Sequence, residues 1–214
     1  MYGASAQSGE SSVLVLRGEA GIGKSALLEY VGLPRDEAAM RRPLFGIVTR
    51  LTHQKGCDLF ATAADRLMAM DAGWIMLGSG EAWCEDLWRQ LAARFPERVA
   101  ARIGFDEQLA HLIEGGADMF LMPSWYEPCG LNQMYSLRYG TVPVVRAVGG
   151  LVDTVRPFNP RNGQGTGFLF ANYDPRAFLE TLRAALDSVT SATAIGSILA
   201  AQERGRASAT LGEK

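Results

Sequence analysis

Apolar and polar residues along the chain fall into blocks that predict strands and helices in turn. Short apolar runs bounded by turn residues predict strands at 44–49, 74–77, 99–104, 119–122, 141–148 and 166–170. Apolar residues at helical spacing predict helices at 57–69, 83–95, 106–114, 130–139 and from 175 onward. Strands separated by helices are typical of a parallel sheet covered on both faces, so we predict an α/β, doubly wound fold.

The same pattern assigns faces to several side chains. Trp74, Trp83 and Trp88 fall at apolar positions and are expected in the core. The helix at 130–139 carries four large apolar residues on one face, which are Leu131, Met134, Tyr135 and Tyr139. Asp174 followed by Pro175 predicts an N-cap and the first position of the last helix.

Composition limits the classes of protein that fit. The chain has 214 residues of which 48% are hydrophobic, enough for the core of one large domain. A net charge of −2 gives no electrostatic reason to expect nucleic acid or a membrane surface as a partner. Neither a signal peptide nor a membrane-length apolar run is visible, so we expect a soluble, cytoplasmic protein. The three cysteines lack paired spacing, which predicts neither a disulfide framework nor a metal site.

A phosphate-binding motif occurs near the start of the chain. Gly18, Gly23, Lys24 and Ser25 occupy the defining positions of G-x4-G-K-S/T, with a strand-like run at 13–16 before them and helix-forming residues after them. In a working nucleotide triphosphatase, the loop N–H groups and the lysine bind phosphates and the serine binds magnesium. The segment resembles the opening of the ATPase module in bacterial transcriptional regulators of the LuxR type.

Two interpretations of this motif stay open. An ATP-binding regulator fragment would use the motif directly, but such a domain needs further strands, one of them with a metal-binding aspartate. About thirty residues cannot bury enough surface to fold alone. We therefore favour residues 1–31 as a P-loop-like fragment that is not an independent domain. Gene rearrangement or faulty gene calling would have joined it to an unrelated domain, with the junction between 31 and 42.

A second site is predicted after the strand at 119–122. That apolar run stops at Pro123, Glu127 follows in a loop, and Gly130 opens the next helical segment. A carboxylate is thus placed at the C-terminal end of a parallel strand, beside a helix N-terminus. Ligands bind at that edge of open α/β sheets, and the free N–H groups of the helix favour a phosphate there.

The spelling of residues 118–155 resembles the donor-binding core of bacterial glycogen synthases and plant starch synthases. Their sequences carry PSxxEPCGLxQ followed by YGTxPxVRxxGGLxDTV, and both motifs are present here, at 123–133 and 139–155. The resemblance covers about residues 32–187. It implies the Rossmann-like C-terminal half of a GT-B glycosyltransferase over 32–190, with an uncertain tail at 191–214 and no N-terminal half.

The resemblance also implies an activity and the residues that perform it. Enzymes of this family transfer glucose from ADP-glucose to the non-reducing end of an α-1,4-glucan with retention, and need no metal or other cofactor. Arg50 and Lys55 match the family's RLxxQKG turn and would bind the diphosphate, although two solvated loop cations are the simpler alternative. Glu127 would hydrogen-bond the glucose hydroxyls, the alternative being an exposed loop glutamate.

Further donor-binding residues follow from the same match. Backbone groups at Cys129, Gly130, Leu131 and Asn132 would approach the sugar and the distal phosphate. Gly149 and Gly150 would allow close backbone approach, which a plain turn explains equally well. The turn at 104–107 resembles the family's turn near the adenine. Related enzymes carry a second glutamate where Tyr135 stands here. The resemblance lacks the family's N-terminal half, so we expect the chain alone to be inactive. The expected partners are ADP-glucose, ADP and an α-1,4-glucan.

Overall fold

The computed structural model describes residues 22–189. The helices are α1 Ile22–Val31, α2 Glu37–Arg41, α3 Cys57–Met68, α4 Ala82–Arg94, α5 Glu107–Gly116, α6 Asn132–Tyr139, α7 Gly150–Thr154 and α8 Pro175–Val189. The strands are β1 Leu44–Val48, β2 Gly73–Gly78, β3 Val99–Ile103, β4 Met119–Met122, β5 Val142–Arg146 and β6 Phe168–Phe170. A 3₁₀ turn spans His53–Lys55.

All six strands form one parallel sheet in the order β3-β2-β1-β4-β5-β6. The chain moves outward from β1 to β3, then returns to the middle and continues outward from β4 to β6. The strand order therefore reverses between β1 and β4, and in such sheets the crevice at that switch point holds the ligand. The predicted α/β, doubly wound architecture is confirmed.

Helices cover both faces of the sheet. Strand β2 shows the alternation clearly, because Trp74 and Met76 enter one hydrophobic cluster while Ile75 and Leu77 enter the other. The first cluster is covered by α3, α4 and α8. The second is covered by α1 and α5. Residues buried on both faces explain why the strands read as continuous apolar runs.

Helix α1 belongs to this core. Its Leu27, Leu28 and Val31 are buried in the same cluster as β1 and α5. The two helices touch through their backbones, since a Cβ on Gly116 would lie 2.5 Å from the carbonyl oxygen of Gly23. The packing therefore continues across the predicted junction after residue 31, and the domain limits within 1–31 stay a prediction. The strand expected at 13–16, Gly18 and the tail at 191–214 lie outside the described residues.

Two expectations about aromatic and apolar side chains need correction or qualification. Trp74 and Trp88 are fully buried, but Trp83 is 43% exposed and its indole N–H donates to the Glu81 carboxylate, so the expectation of a core residue was wrong. The apolar face of α6 is also exposed, whereas Gln133 and Ser136 are its buried residues. A short helix beside polar loops can hold its place through buried hydrogen bonds, which apolar periodicity does not reveal.

The helix ends follow local chemistry. The side chain of Asp174 accepts hydrogen bonds from the backbone N–H groups of Arg176 and Ala177, which confirms the predicted cap of α8. Asp106 caps α5 in the same way. Helices α2 and α7 have five residues each and were not predicted, because a helix that short carries no readable periodicity. None of the helices within residues 22–189 is long and apolar enough to cross a membrane.

Candidate functional site

A cavity of about 210 Å³ opens at the C-terminal edge of the sheet, where β1 and β4 lie side by side. Three segments line it: the loop after β1, the loop after β4, and the start of α6. Arg50, Lys55 and Glu127 all face this one cavity. The structure therefore brings together the three residues predicted to be catalytic.

The loop after β1 is held at two points. Leu51 is buried and pairs through its backbone with Ser79 and Glu81, beyond the end of β2. The 3₁₀ turn then ends at Gly56, which has a φ of 88° and would place a Cβ 2.6 Å from the carbonyl oxygen of Pro123. Only glycine fits at this position. The contact brings Lys55 against the loop that follows β4.

Lys55 and Glu127 form an ion pair inside the cavity. Their side chains are only 15% and 10% exposed, and the Ser124 hydroxyl donates a second hydrogen bond to Glu127 at 3.1 Å. Each charge compensates the other, and solvent reaches the pair through the cavity. The exposed loop glutamate that the sequence left open is thus wrong for Glu127.

Arg50 supplies the excess charge of the site. It is exposed at the cavity mouth, and its guanidinium makes no hydrogen bond or ion pair with any residue of 22–189. The lining side chains include two cations and one carboxylate, so the cavity has a net positive charge. Such a cavity suits an anion with several acceptor oxygens, for which a guanidinium offers a planar set of donors.

The start of α6 adds backbone donors. Gly130, Leu131 and Asn132 line the cavity, and the Asn132 side chain fixes this end by donating to the carbonyl oxygen of Val48 at 3.0 Å. The first N–H groups of a helix lack partners within it, and they carry partial positive charge. Together with the two side-chain cations, this end of the helix favours a phosphate.

Cys129, Gly149 and Gly150 lie outside the cavity lining. The two glycines contact the back of the Glu127 loop, because a Cβ on Gly149 would lie 2.0 Å from the carbonyl oxygen of Glu127. The N–H of Gly150 also points to the carbonyl oxygens of Glu127 and Pro128. These glycines therefore allow close approach to the loop that carries Glu127, whereas the resemblance led us to expect approach to the donor.

Two glutamines near the cavity match the family motifs but were given no role in the sequence analysis. The Gln133 amide, fully buried, donates to Cys129 and Gly130 carbonyls and to Thr154, so it ties the loop to two helices. Gln54 binds the loop from the other side, through its carbonyl to the Trp125 N–H and its amide to the Tyr126 carbonyl. The final glutamine of the motif at 123–133 was the available signal for the first.

The P-loop lysine is occupied elsewhere. Lys24 forms an ion pair with Asp118 at 2.6 Å and donates to the carbonyl oxygen of Arg42, also at 2.6 Å. Asp118 and Arg42 precede β4 and β1, so this cluster lies at the N-terminal edge of the sheet, opposite the cavity. Gly23, Lys24 and Ser25 are part of α1 and its packing. Within residues 22–189 there is also no group of three or more metal-binding side chains.

Comparisons with known proteins show what the chain as a whole is similar to. Residues 34–197 match the model of the family described as glycosyl transferases group 1. The chain is 59% identical over 164 residues to a glycogen synthase of Anaeromyxobacter dehalogenans (strain 2CP-C), covering 77% of this chain and 34% of that protein. It is 50% identical over 171 residues to a glycogen synthase of Koribacter versatilis (strain Ellin345), covering 80% and 34%.

A solved structure gives the same result for the fold. The catalytic domain of starch synthase IV from Arabidopsis thaliana, bound to ADP and acarbose, aligns with a TM-score of 0.72 and 30% sequence identity, over 84% of this chain and 38% of that chain. This likeness confirms the predicted Rossmann-like fold of GT-B type. The chain spans 34% of the length of the two curated relatives. The ATPase resemblance of residues 18–25 gains no support from these matches.

Proposed function

We propose, since this chain belongs to the group 1 glycosyltransferases, that it is the donor-binding half of an enzyme that transfers glucose from ADP-glucose to an α-1,4-glucan. The observation that carries the proposal is the single cavity at the switch point of the sheet, which Arg50, Lys55 and Glu127 share. The similarity of this chain to a glycogen synthase over 77% of its length supports the choice of reaction.

The reaction explains why two cations are needed. When the bond between glucose and the diphosphate breaks, positive charge grows on the anomeric carbon and negative charge grows on the departing phosphate. Fixed cations that meet this negative charge lower the barrier most in a site closed to water. Arg50 would bind the diphosphate with its planar fork and Lys55 as a point charge, helped by the free N–H groups at Gly130, Leu131 and Asn132.

Glu127 would orient the sugar. A carboxylate accepts hydrogen bonds from neighbouring hydroxyl groups, and Ser124 and Lys55 hold this one in place. Cys129, Gly149 and Gly150 would act through the loop rather than on the donor itself. The turn at 104–107 would lie near the adenine, and its Phe105 is 91% exposed after β3, where a nucleobase could stack on the ring.

The remaining proposed partners are the glucan acceptor and the N-terminal half of a GT-B enzyme. The described residues form one wall, and a glucan acceptor would lie against a second wall supplied by the N-terminal half of a GT-B enzyme. We therefore propose that residues 22–189 bind donor but transfer no glucose by themselves, and that the reaction uses protein cations in place of a metal.

Calorimetry with ADP tests the site. The chain should bind ADP weakly, and Arg50→Ala should reduce the affinity about tenfold or more, since a guanidinium–phosphate contact is charge-assisted on both sides. Arg41→Ala is the matched control, because Arg41 is an exposed arginine that pairs with Glu37 on the same helix, α2, far from the cavity lining. Absence of ADP binding, or an equal effect of both variants, would refute the assignment. ATP binding lost in Lys24→Ala and unchanged in Glu127→Ala would support the regulator instead.

A further inference from the structure

A cluster of one cation and two aromatic rings lies at the end of β5, outside the cavity lining. Arg146 ends β5, and the centre of its guanidinium is 5.3 Å from the ring centre of Trp125 and 5.2 Å from that of Tyr173. The two rings meet edge to face with centres 4.7 Å apart. Two loops of the C-terminal edge, those after β4 and β6, therefore converge on this arginine at the end of β5.

Arg146 fixes the segment that carries Glu127. Its Nη1 donates to the carbonyl oxygen of Trp125, two residues before Glu127. The N–H of Trp125 donates in the opposite direction, to the carbonyl oxygen of Gln54 at 2.8 Å. The peptide groups around Trp125 are thus held from β5 on one side and from the 3₁₀ turn on the other.

Tyr173 extends the same cluster to the segment that carries Lys55. Its hydroxyl donates to the carboxylate of Asp58 in the first turn of α3, and it lies 3.4 Å from the carbonyl oxygen of His53. Burial, and then the hydrogen bond to Asp58, raise the pKa of Tyr173, so the hydroxyl keeps the proton it donates. Asp58 also lies 3.4 Å from the His53 ring, which steadies the turn that ends at Lys55.

The contacts of Arg146 depend on the shape of its side chain. Its Nε is buried and has no hydrogen-bond partner within residues 22–189. The guanidinium is held by two ring faces and one carbonyl oxygen, an arrangement that needs a flat cation. A lysine would keep the charge and lose the stacking and the direction of the hydrogen bond.

We propose that Arg146 is a positioning residue that sets the direction of Glu127 relative to Lys55, and through it the recognition of the donor's sugar. This inference rests on the function proposed above. Arg146 does not line the cavity, and it acts through Trp125 and Tyr173. Small displacements of a binding group reduce its contribution steeply, whereas the diphosphate retains Arg50 and the helix N-terminus.

Calorimetry of ADP-glucose and of ADP, with thermal unfolding of each variant, tests the inference. Arg146→Lys should lower the affinity for ADP-glucose about tenfold and the affinity for ADP less than about threefold. Arg94→Lys is the matched control, since Arg94 also stacks on a ring, that of Phe95, at the end of α4. Tyr173→Phe should shift the same ratio by a smaller factor, and Tyr139→Phe, an exposed tyrosine on α6, should not.

The outcomes separate this inference from the proposed function. If the wild-type chain binds neither ligand, the proposed function fails and the inference fails with it. If the wild type prefers ADP-glucose and Arg146→Lys keeps that preference, only the inference is refuted. An equal loss of both affinities in Arg146→Lys, together with a lower unfolding midpoint, would assign Arg146 a structural role and refute the inference. Equal binding of ADP-glucose and ADP by the wild type would also refute it, because there would be no sugar contact for Arg146 to position.

Discussion

Two lysine–carboxylate pairs lie at opposite edges of the sheet, beside the two ends of β4. Lys24 pairs with Asp118 before β4, and Lys55 pairs with Glu127 after it. Both lysines are nearly buried, with side chains 9% and 15% exposed. Distance and burial alone would therefore assign them the same role.

The difference lies in what each pair has left to offer. Lys24 also donates to the Arg42 carbonyl, and Asp118 also accepts from the Leu44 N–H at 2.7 Å, so that pair joins α1 to the starts of β1 and β4. Lys55 and Glu127 face an open cavity beside Arg50, whose guanidinium has no partner in the part of the chain that the structure describes. A saturated pair stabilises the fold, whereas a pair with spare donors beside a cavity can bind a ligand.

The largest expected effect is loss of stability when the pair at the N-terminal edge is broken. Asp118→Ala leaves the Lys24 ammonium buried without its counter-ion and the Leu44 N–H without its acceptor. We expect the free energy of unfolding to fall by about 3 kcal/mol, as for other buried pairs that lose one partner. Urea denaturation measures this. Asp71→Ala is the control, since Asp71 pairs with Arg42 on the surface and should cost less than about 1 kcal/mol.

Breaking the pair at the cavity should change ligand binding strongly and stability only slightly. Glu127→Gln keeps the shape of the side chain and removes its charge, so we expect stability to change by about 1 kcal/mol or less, because Lys55 can reach water through the cavity. The preference for ADP-glucose over ADP should fall about tenfold. Parallel denaturation and calorimetry check both. A stability loss as large as that of Asp118→Ala would remove the distinction between the two edges.

The smallest expected effect concerns a buried carboxylate that has no lysine. Glu114 is 3% exposed on α5, and within residues 22–189 its carboxylate pairs only with the His111 ring, at 3.2 Å. Burial raises the pKa of Glu114 despite the opposing effect of that histidine. A raised pKa means that the folded state binds this proton more tightly than the unfolded state does. Its contribution to stability is therefore present at low pH and is lost as pH rises from about 4.3 through the raised folded value.

Glu114→Gln removes that titration. We expect the variant to be more stable than the wild type at pH 7 by about 1 kcal/mol, with a smaller difference below pH 4. Denaturation at a series of pH values measures it. A variant that is less stable at pH 7 would show that the contact with His111 outweighs the cost of burial.

Much of the fold was readable because its signals are local. The apolar runs of the strands, the cap at Asp174 and the motif around Glu127 lie within a few residues of each other. The pairing of Lys55 with Glu127 joins residues 72 positions apart, and only the resemblance placed them in one site. Nothing local distinguishes Trp83 from the buried Trp88, since both occupy apolar positions of α4.

The motif around Lys24 illustrates the same limit. A short pattern specifies residue types, while the role of a lysine depends on which carboxylate reaches it, and Asp118 lies 94 positions away. The same limit applies to Arg146, whose partners Trp125 and Tyr173 come from two different loops. Long-range contacts of charged side chains were therefore the part of the site that the sequence alone could not provide.

The backbone contact between Gly23 and Gly116 has a practical consequence for anyone shortening this protein. A recombinant version that starts at residue 32, where the sequence suggests a clean cut, would delete α1 and expose the apolar surface of α5 that Leu27 and Leu28 cover. Such a version would be prone to precipitate on expression. A shortened version should therefore retain α1 together with the rest of the sheet and its helices.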